Sequence, residues 1–387
     1  MPTGVPRIRI AMIIEATMGG TRTHLMHLLR GLPRERFDVT LIASAERDAR
    51  FRPVMEELRR DGIRVLEVPM VRRPAPVRDA IAFLMLVRAL RKLDWDIVHT
   101  HASKAGALGR LAALACGARR GGRIVHTPHN FPFQGRGCLA GWIFRTVEQV
   151  LARWTDRLVV LTEYQRGLAL SGIGMPSGRV AVIPNGVDGM QFARSGRRDA
   201  ARMSLGLDAD VPLVGWIGRL MPQKRCDVFL RSAARVRVKV PSARFLVVGE
   251  GPLERRLRRL AGGLGISDAI LWQGFTEDPR PFYEAMDVFS LTSDYEGMPY
   301  TLLEAMAMEV PPVAPAIGGC DEVLTPETGI LVRPREVEGF AEAIAALLGD
   351  PVLRQRMGRA ARERVIARFS LDSFLAATAS LYESVAA

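Results

Sequence analysis

Long apolar runs are missing from this 387-residue sequence: nowhere do the roughly 18 consecutive apolar residues of a membrane-spanning helix occur. The first apolar stretch, residues 8–14, is interrupted by Arg9 and ended by Glu15, too short and too charged for a secretory leader, so a cytoplasmic location is expected. Cysteine is scarce. The four thiols, Cys116, Cys138, Cys226 and Cys320, form no CxxC pair, which argues against a zinc site and a disulfide framework, and free buried thiols are expected. Aromatic residues amount to 6% and few lie among the basic ones, so the stacking platforms of a nucleic-acid binder are wanting and no such partner is expected. A GxGxxG fingerprint is also missing after the first apolar run, where the chain has MGGTRTH, and this weighs against a nicotinamide-dependent sugar-modifying enzyme. Acidic side chains are outnumbered, 41 against 54 Lys and Arg, and the net charge of +13 calls for a partner bearing negative charge, a phosphorylated small molecule or an anionic membrane surface.

What is present is an alternation. Short runs rich in Val and Ile, at residues 8–14, 39–43, 65–68, 97–100, 123–127, 158–162 and 180–184, are separated by segments of helical period such as THLMHLLRGL and VRDAIAFLMLVRAL. Between residues 188 and 209 the pattern lapses into polar sequence, then resumes with runs at 211–217, 245–248, 270–272, 288–292, 313–314 and 330–332. A βαβ order implies a parallel sheet covered by helices on both faces. The chain also exceeds the roughly 250–300 residues at which a single core stops growing. Two α/β domains are therefore expected, residues 1–190 and 191–370, joined by a linker near 190, with a helix at about 371–387 packing back on the first.

In such sheets ligands bind beyond the carboxyl ends of the strands. In IGRLMPQK, Gly218 permits close approach while Arg219 and Lys224 supply a fork and a point charge suited to a diphosphate. The turn VGEGP, with Gly249 and Gly251, supports phosphate contact only alongside that loop. In TSDYEGMPYTLLEA, Gly297 breaks the extended segment and Pro299 suits the first helical position, which leaves the N–H groups of Tyr300 and Thr301 open to negative oxygens. Glu304, one turn further on, suits the vicinal diol of a ribose, and Glu296, just ahead, a sugar. A preference of acidic residues for helix N-termini explains Glu296 fairly well and Glu304 poorly.

All six histidines, His24, His27, His99, His101, His126 and His129, fall in the first third. HxH and HTPH carry spacings found in metal sites, but alternation along a strand is read as sending His99 and His101 to opposite faces, and no metal is expected. His101 and His129 are read as lining a cleft, with His99 and His126 packed behind them.

The stretches DIVHTHASKAGALGRLAA, IVHTPHNFPF, TDRLVVLTEYQ, VAVIPNGVD, VGWIGRLMPQK, FLVVGEGP and YEGMPYTLLEAMA together resemble the family 4 glycosyltransferases, over residues 8–370. Members extending bacterial exopolysaccharides or lipid-linked saccharides are the most similar. The resemblance implies a GT-B fold, with two Rossmann-like parallel-sheet domains facing a cleft, and retaining transfer from a nucleotide diphosphate sugar, UDP-linked by preference, to a saccharide or lipid-linked acceptor without metal or other cofactor. It implies that Glu304 binds the ribose, Glu296 faces the transferred sugar, Arg219 and Lys224 hold the diphosphate, Gly19 and Gly20 form the facing loop, and His129 stands near sugar and acceptor. Further donor contacts are implied for Gly218, Gly249, Gly251, Phe275, Gly297, Met298, Pro299, Tyr300 and Thr301, and acceptor-side contacts for His101, Lys104 and Asn130. Three departures stand out: Arg225 where glycine is usual, which would add charge near the phosphates, a missing acidic residue after the first glycines, and Asp321 where proline is common. No first-domain carboxylate offers itself as a nucleophile, which fits a front-face route. A nucleotide-sugar-binding regulator without activity is the competing reading. A cytoplasmic protein resting on the membrane through residues 77–93 and 141–154 is a further expectation.

Overall fold

The computed structural model describes residues 6–117, 121–131, 133–134 and 138–387, with Cys138 described by its backbone alone. The expected free thiol of Cys138 therefore lies outside the described side chains. Cys226 and Cys320 are free and buried, and Cys116 is free and half-buried. The chain divides into two compact units, one running through Pro184 and including Phe374–Ala387, the other Asn185–Ser373. The division thus falls at Pro184–Asn185, ahead of the linker expected near 190.

The first unit holds seven strands: β1 (Ile8–Ile14), β2 (Phe37–Ala43), β3 (Arg64–Glu67), β4 (Ile97–His101), β5 (Arg123–Thr127), β6 (Arg157–Val160) and β7 (Val180–Val182). They form one sheet in the order β3-β2-β1-β4-β5-β6-β7, parallel throughout. Between them run α1 (Gly20–Gly31), α2 (Phe51–Arg60), α3 (Pro76–Arg91), α4 (Ser103–Ala115), α5 (Cys138–Ala152) and α6 (Glu163–Gly167). Strands covered on both faces bury nearly every side chain, which is why β1 from Ile10 onward and β4 read as unbroken apolar or neutral runs and not as alternations. Ala11, Ile13 and Val98 of the sheet close on Ala82, Leu86 and Leu90 of α3 and Ala105 and Ala112 of α4.

The second unit holds α7 (Arg198–Ser204), β8 (Leu213–Ile217), α8 (Cys226–Lys239), β9 (Arg244–Val248), α9 (Glu254–Gly263), β10 (Ile270–Gln273), α10 (Arg280–Ala285), β11 (Val288–Ser290), α11 (Tyr300–Ala307), β12 (Pro312–Pro315), α12 (Gly318–Asp321), β13 (Ile330–Val332), α13 (Val337–Gly349) and α14 (Pro351–Arg368). Its six-stranded parallel sheet runs β10-β9-β8-β11-β12-β13. Trp216, Phe229, Phe245 and Phe340 anchor its core.

The polar stretch read as a linker carries α7, whose Arg202 is fully buried. Its guanidinium meets Asp287 Oδ2 at 2.7 Å and donates to the carbonyls of Ala285, Ala209 and Val211. A buried cation with all three guanidinium nitrogens hydrogen-bonded substitutes for the apolar face that the pattern lacked.

The last helix, α15 (Leu371–Ala386), carries the chain back to the first unit from Phe374 onward. There Tyr382 Oη lies 2.5 Å from His99 Nδ1, while His99 Nε2 meets Thr127 Oγ1 at 2.9 Å. Both ring nitrogens of a fully buried histidine are thus satisfied, and burial lowers its pKa to about 3. Tyr382→Phe would leave Nδ1 unpartnered in the core, so urea unfolding should show a loss of about 1–3 kcal/mol in the first unit; an unchanged transition would mean that this bond does not hold the helix in place.

Candidate active site

In the second unit the loops that follow β8 and β9 are packed backbone on backbone. A Cβ added at Gly249, whose φ is +128°, would stand 2.1 Å from Gly218 O, and one added at Gly251 would stand 2.5 Å from Leu220 O. Glycine is required at both positions for the loops to approach this closely. Gly218 N donates to Val248 O at 3.0 Å, which fixes where half-buried Arg219 leaves the sheet.

Lys224 ends the short turn after this loop, and its Nζ lies 2.5 Å from Glu296 Oε1. The two loops are joined by further bonds, Gln223 Nε2 to Tyr295 O at 2.8 Å and Asp294 N to Gln223 O at 2.8 Å. Gly319, after β12, packs on the same loop, since a Cβ there would come 2.4 Å from Gly297 O. Asn185 supports it from another side, with Nδ2 donating to Met298 O at 2.8 Å. Arg225 does not add free charge near this pair: its guanidinium is engaged by Asp227 at 2.8 Å and by Asp294 at 3.4 Å.

Helix α11 starts at Tyr300, and Pro299 is its cap residue, one position earlier than expected. Thr301 Oγ1 is buried at this end without a hydrogen-bond partner among the described residues. Glu304 is buried, accepts a bond from Tyr283 Oη at 3.0 Å, and has its pKa raised by burial to about 7. Its charged form has one protein hydroxyl for compensation, so a ligand offering two more would restore it. Phe275, two residues past β10, is 42% exposed at the carboxyl end of the sheet, where a flat base could stack.

In the first unit Gly19 takes φ +58° as the cap of α1, of which Gly20 is the first residue. His129, also at positive φ (+61°), has its carbonyl held by Gln165 Nε2 at 2.9 Å. His101 Nδ1 lies 3.3 Å from His129 Nε2, and the His24 ring stands edge-on to His129 with centroids 4.7 Å apart. Burial depresses the pKa of His101 and His129 well below the usual imidazole value, so both stay neutral. The separation of His99 from His101 inferred from the strand is corrected: positions two apart share a face, and their centroids are 4.1 Å apart. His126 packs against Thr100 as a core residue, its Nδ1 2.9 Å from Thr100 Oγ1.

His24, His101 and His129 each place a ring nitrogen within 4.8 Å of the others, a set that could hold a metal ion. His101 Nε2 is buried with no partner among the described residues. Lys104 Nζ is occupied by Asp79 Oδ1 and the Arg73 carbonyl, both at 2.6 Å. Asn130 Oδ1 is buried without a partner among the described residues. One carboxylate does stand just past β1, Glu15. It is buried, accepts from Ala105 N at 3.0 Å and faces Arg47 at 3.7 Å.

Tyr283, Asn185, Gln165 and Gln223 were not singled out from sequence. Asn185 and Gln165 lie inside the quoted stretches VAVIPNGVD and TDRLVVLTEYQ, whereas nothing local marks Tyr283 as the partner of a residue 21 positions away.

Two sequence families match this chain: "Glycosyltransferase Family 4" over residues 18–189 and "Glycosyl transferases group 1" over residues 197–364. Together with the relatives below, they show a glycosyltransferase: the chain belongs to the family 4 glycosyltransferases. An Escherichia coli UDP-Gal:alpha-D-GlcNAc-diphosphoundecaprenol alpha-1,3-galactosyltransferase is 29% identical, covering 94% of each chain. A GDP-mannose-dependent alpha-(1-6)-phosphatidylinositol monomannoside mannosyltransferase of Mycolicibacterium smegmatis is 34% identical over 66% of this chain and 69% of its own. The structure of Anabaena HepE in complex with UDP and glucose superimposes with a TM-score of 0.84 at 20% identity, covering 98% of this chain and 100% of that one, and the fold is GT-B.

The position of Glu304 has a measurable consequence. With its pKa at about 7 against an ordinary 4.5, the folded protein keeps a proton that the unfolded chain has released between those values. The associated stability is complete below 4.5 and is lost as pH rises through about 7. Glu304→Gln, neutral throughout, should therefore stabilise the ligand-free second unit above pH 7 by on the order of 3 kcal/mol and change it little near pH 4.5. Calorimetry at both ends of the range reads this directly, and equal effects at both ends would show that Glu304 is not held neutral.

Proposed function

We propose that this glycosyltransferase moves a sugar from a UDP-linked donor, with retention at the anomeric carbon, to a hydroxyl of a saccharide carried on a lipid diphosphate. The second unit would hold the nucleotide and the first the acceptor. The observation that carries this reading is the arrangement around α11: a buried carboxylate, Glu304, behind a helix N-terminus whose Thr301 hydroxyl lacks a partner among the described residues, with the Lys224–Glu296 pair tied to the preceding loop. A ribose diol answers Glu304, and phosphate oxygens answer the helix end, Arg219 and Lys224.

The chemistry asks chiefly for positive charge where the departing diphosphate gains negative charge. Arg219, Lys224 and the α11 N-terminus supply it from fixed positions, without need of a metal. His129 and Glu296 would orient the transferred sugar. Glu15 is engaged by Arg47 and a backbone amide and so is poorly placed to act as a nucleophile, which favours a front-face route in which the leaving phosphate oxygen takes the acceptor proton.

The UDP-dependent relative and the UDP-bound neighbour support uridine, whereas the mannosyltransferase relative uses GDP-mannose. The lipid-diphosphate acceptor of the galactosyltransferase relative would place this chain at the cytoplasmic face of a membrane. Among the described residues no helix is long and apolar enough to cross one.

Thermal shifts with UDP, GDP, ADP and NAD at one common high concentration should single out the matching nucleotide, which adds roughly 2.7 kcal/mol when present at about 100 times its dissociation constant, and the gain should vanish in Glu304→Ala. A response to GDP alone would reassign the base, and a response to NAD alone would overturn the transferase reading of this site. Arg219→Ala and Lys224→Ala should each lower turnover by about 10²–10³, and near wild-type turnover in both would remove them from the reaction.

A further inference from the structure

Three histidines of the first unit converge from separate elements. His24 stands on α1, His101 ends β4, and His129 lies in the loop after β5. One ring nitrogen of each lies within 4.8 Å of the other two, and among the described residues no other group of three His, Cys, Asp or Glu side chains brings its ligand atoms together in this way. His99, although next to His101, is not a member, because its two ring nitrogens are taken by Tyr382 and Thr127.

The three rings are braced from outside the set. His101 packs on the fixed His99 ring with centroids 4.1 Å apart, His24 stands edge-on to Phe374 at 4.9 Å, and the backbone of His129 is held by Gln165. Ligands positioned by packing in this way are what a metal site requires. His101 Nδ1 and His129 Nε2 are 3.3 Å apart. A tetrahedral ion with bonds of about 2.0–2.1 Å to nitrogen sets its ligand atoms roughly 3.3–3.4 Å from one another, so this pair already spans one edge and only His24 has to turn inward. His101 Nε2 is buried with no partner among the described residues, so no donor on the far side of that ring forces a proton onto Nδ1, and the Nδ1 lone pair is open to a metal.

We infer that His24, His101 and His129 form a binding site for a divalent transition-metal ion, zinc in the first place. Imidazole nitrogens suit Zn²⁺, whereas Mg²⁺, Ca²⁺ and Mn²⁺ take oxygen ligands. Three protein ligands leave a fourth position for water or a substrate oxygen. His129 is the half-buried member, so the ion is reached from its side. Occupancy should block transfer and not assist it: a nitrogen of His129 bound to zinc can no longer accept a bond from the transferred sugar. That consequence rests on the proposed function, and the site itself does not.

Equilibrium dialysis of the full chain against Zn²⁺ tests the site without reference to activity. One zinc should be bound per chain and should survive excess Mg²⁺. His24→Phe, which keeps a ring against Phe374, and His101→Gln should each weaken zinc at least about a hundredfold, with circular dichroism as for wild type, while His27→Ala, on the next turn of α1 and outside the set, should bind normally. Co²⁺ in place of zinc should give wild type the intense visible bands of a four-coordinate ion, without the charge-transfer band of a thiolate ligand, a readout that needs no variant to fold. The inference is overturned by no bound zinc, by unchanged affinity in the folded variants, or by a six-coordinate or thiolate-bound cobalt spectrum. Turnover separates the site from the proposed function. EDTA-reversible inhibition with the same midpoint as binding supports both, whereas unchanged turnover at saturating zinc, with the cobalt spectrum as expected, leaves the site standing and removes His129 from the reaction.

Discussion

A parallel sheet covered by helices on both faces has no polar surface of its own, so its chemistry is confined to the loops beyond its strand ends. Both units obey this constraint, and it accounts for where the protein places strain and unpartnered polar groups. In the second unit the constraint is met by backbone contact. Gly249 lies against Gly218, Gly251 against Leu220 and Gly319 against Gly297, so the loop after β9 rests on that after β8, and the loop after β12 on that after β11, without intervening side chains. Arg219 and Lys224 are consequently held by the sheet rather than by flexible arms, which is what preorganised charge requires. In the first unit the same position is filled by imidazoles, kept neutral by burial, with His129 held at positive φ by Gln165.

The alternation of apolar runs and helical segments was legible because parallel strands covered on both faces are largely apolar, and each of the thirteen runs falls on a strand. Glu304 and Lys224 were legible because their loops carry glycine or proline at the places where a strand gives way to a helix. What was not legible depended on contacts across sequence distance. Tyr283 becomes the partner of Glu304 only once α10 packs beside α11, and Asn185 reaches Met298 across 113 positions. The segment around Arg202 read as a linker because burial of an arginine has no local signature; it becomes part of the core when Asp287 and four carbonyls surround it. The reading of His99 and His101 failed for a different reason, since the period of a strand was applied with the wrong parity.

The surplus of positive charge takes on a different meaning once each arginine is placed. Arg110, Arg202, Arg225 and Arg364 spend their guanidinium groups on carboxylates or carbonyls, as structural cross-links within a unit. Such cations are compensated and contribute little to the field seen by a distant partner. Net charge in the sequence therefore overstates how much positive surface is available, and it cannot say where that surface lies. Arg78 and Arg88 on α3 and Arg145 on α5, without ion-pair partners among the described residues, share those two helices with half of the exposed large apolar side chains. Charge of one sign joined to apolar exposure on the same helices is costly in water on both counts, because neither repulsion nor hydration is relieved within the chain. The remaining exposed apolar residues, such as Met190, Met203 and Val352, are scattered singly, as on any surface. The concentration on α3, α4 and α5 is thus a property of three neighbouring helices and not of the surface at large.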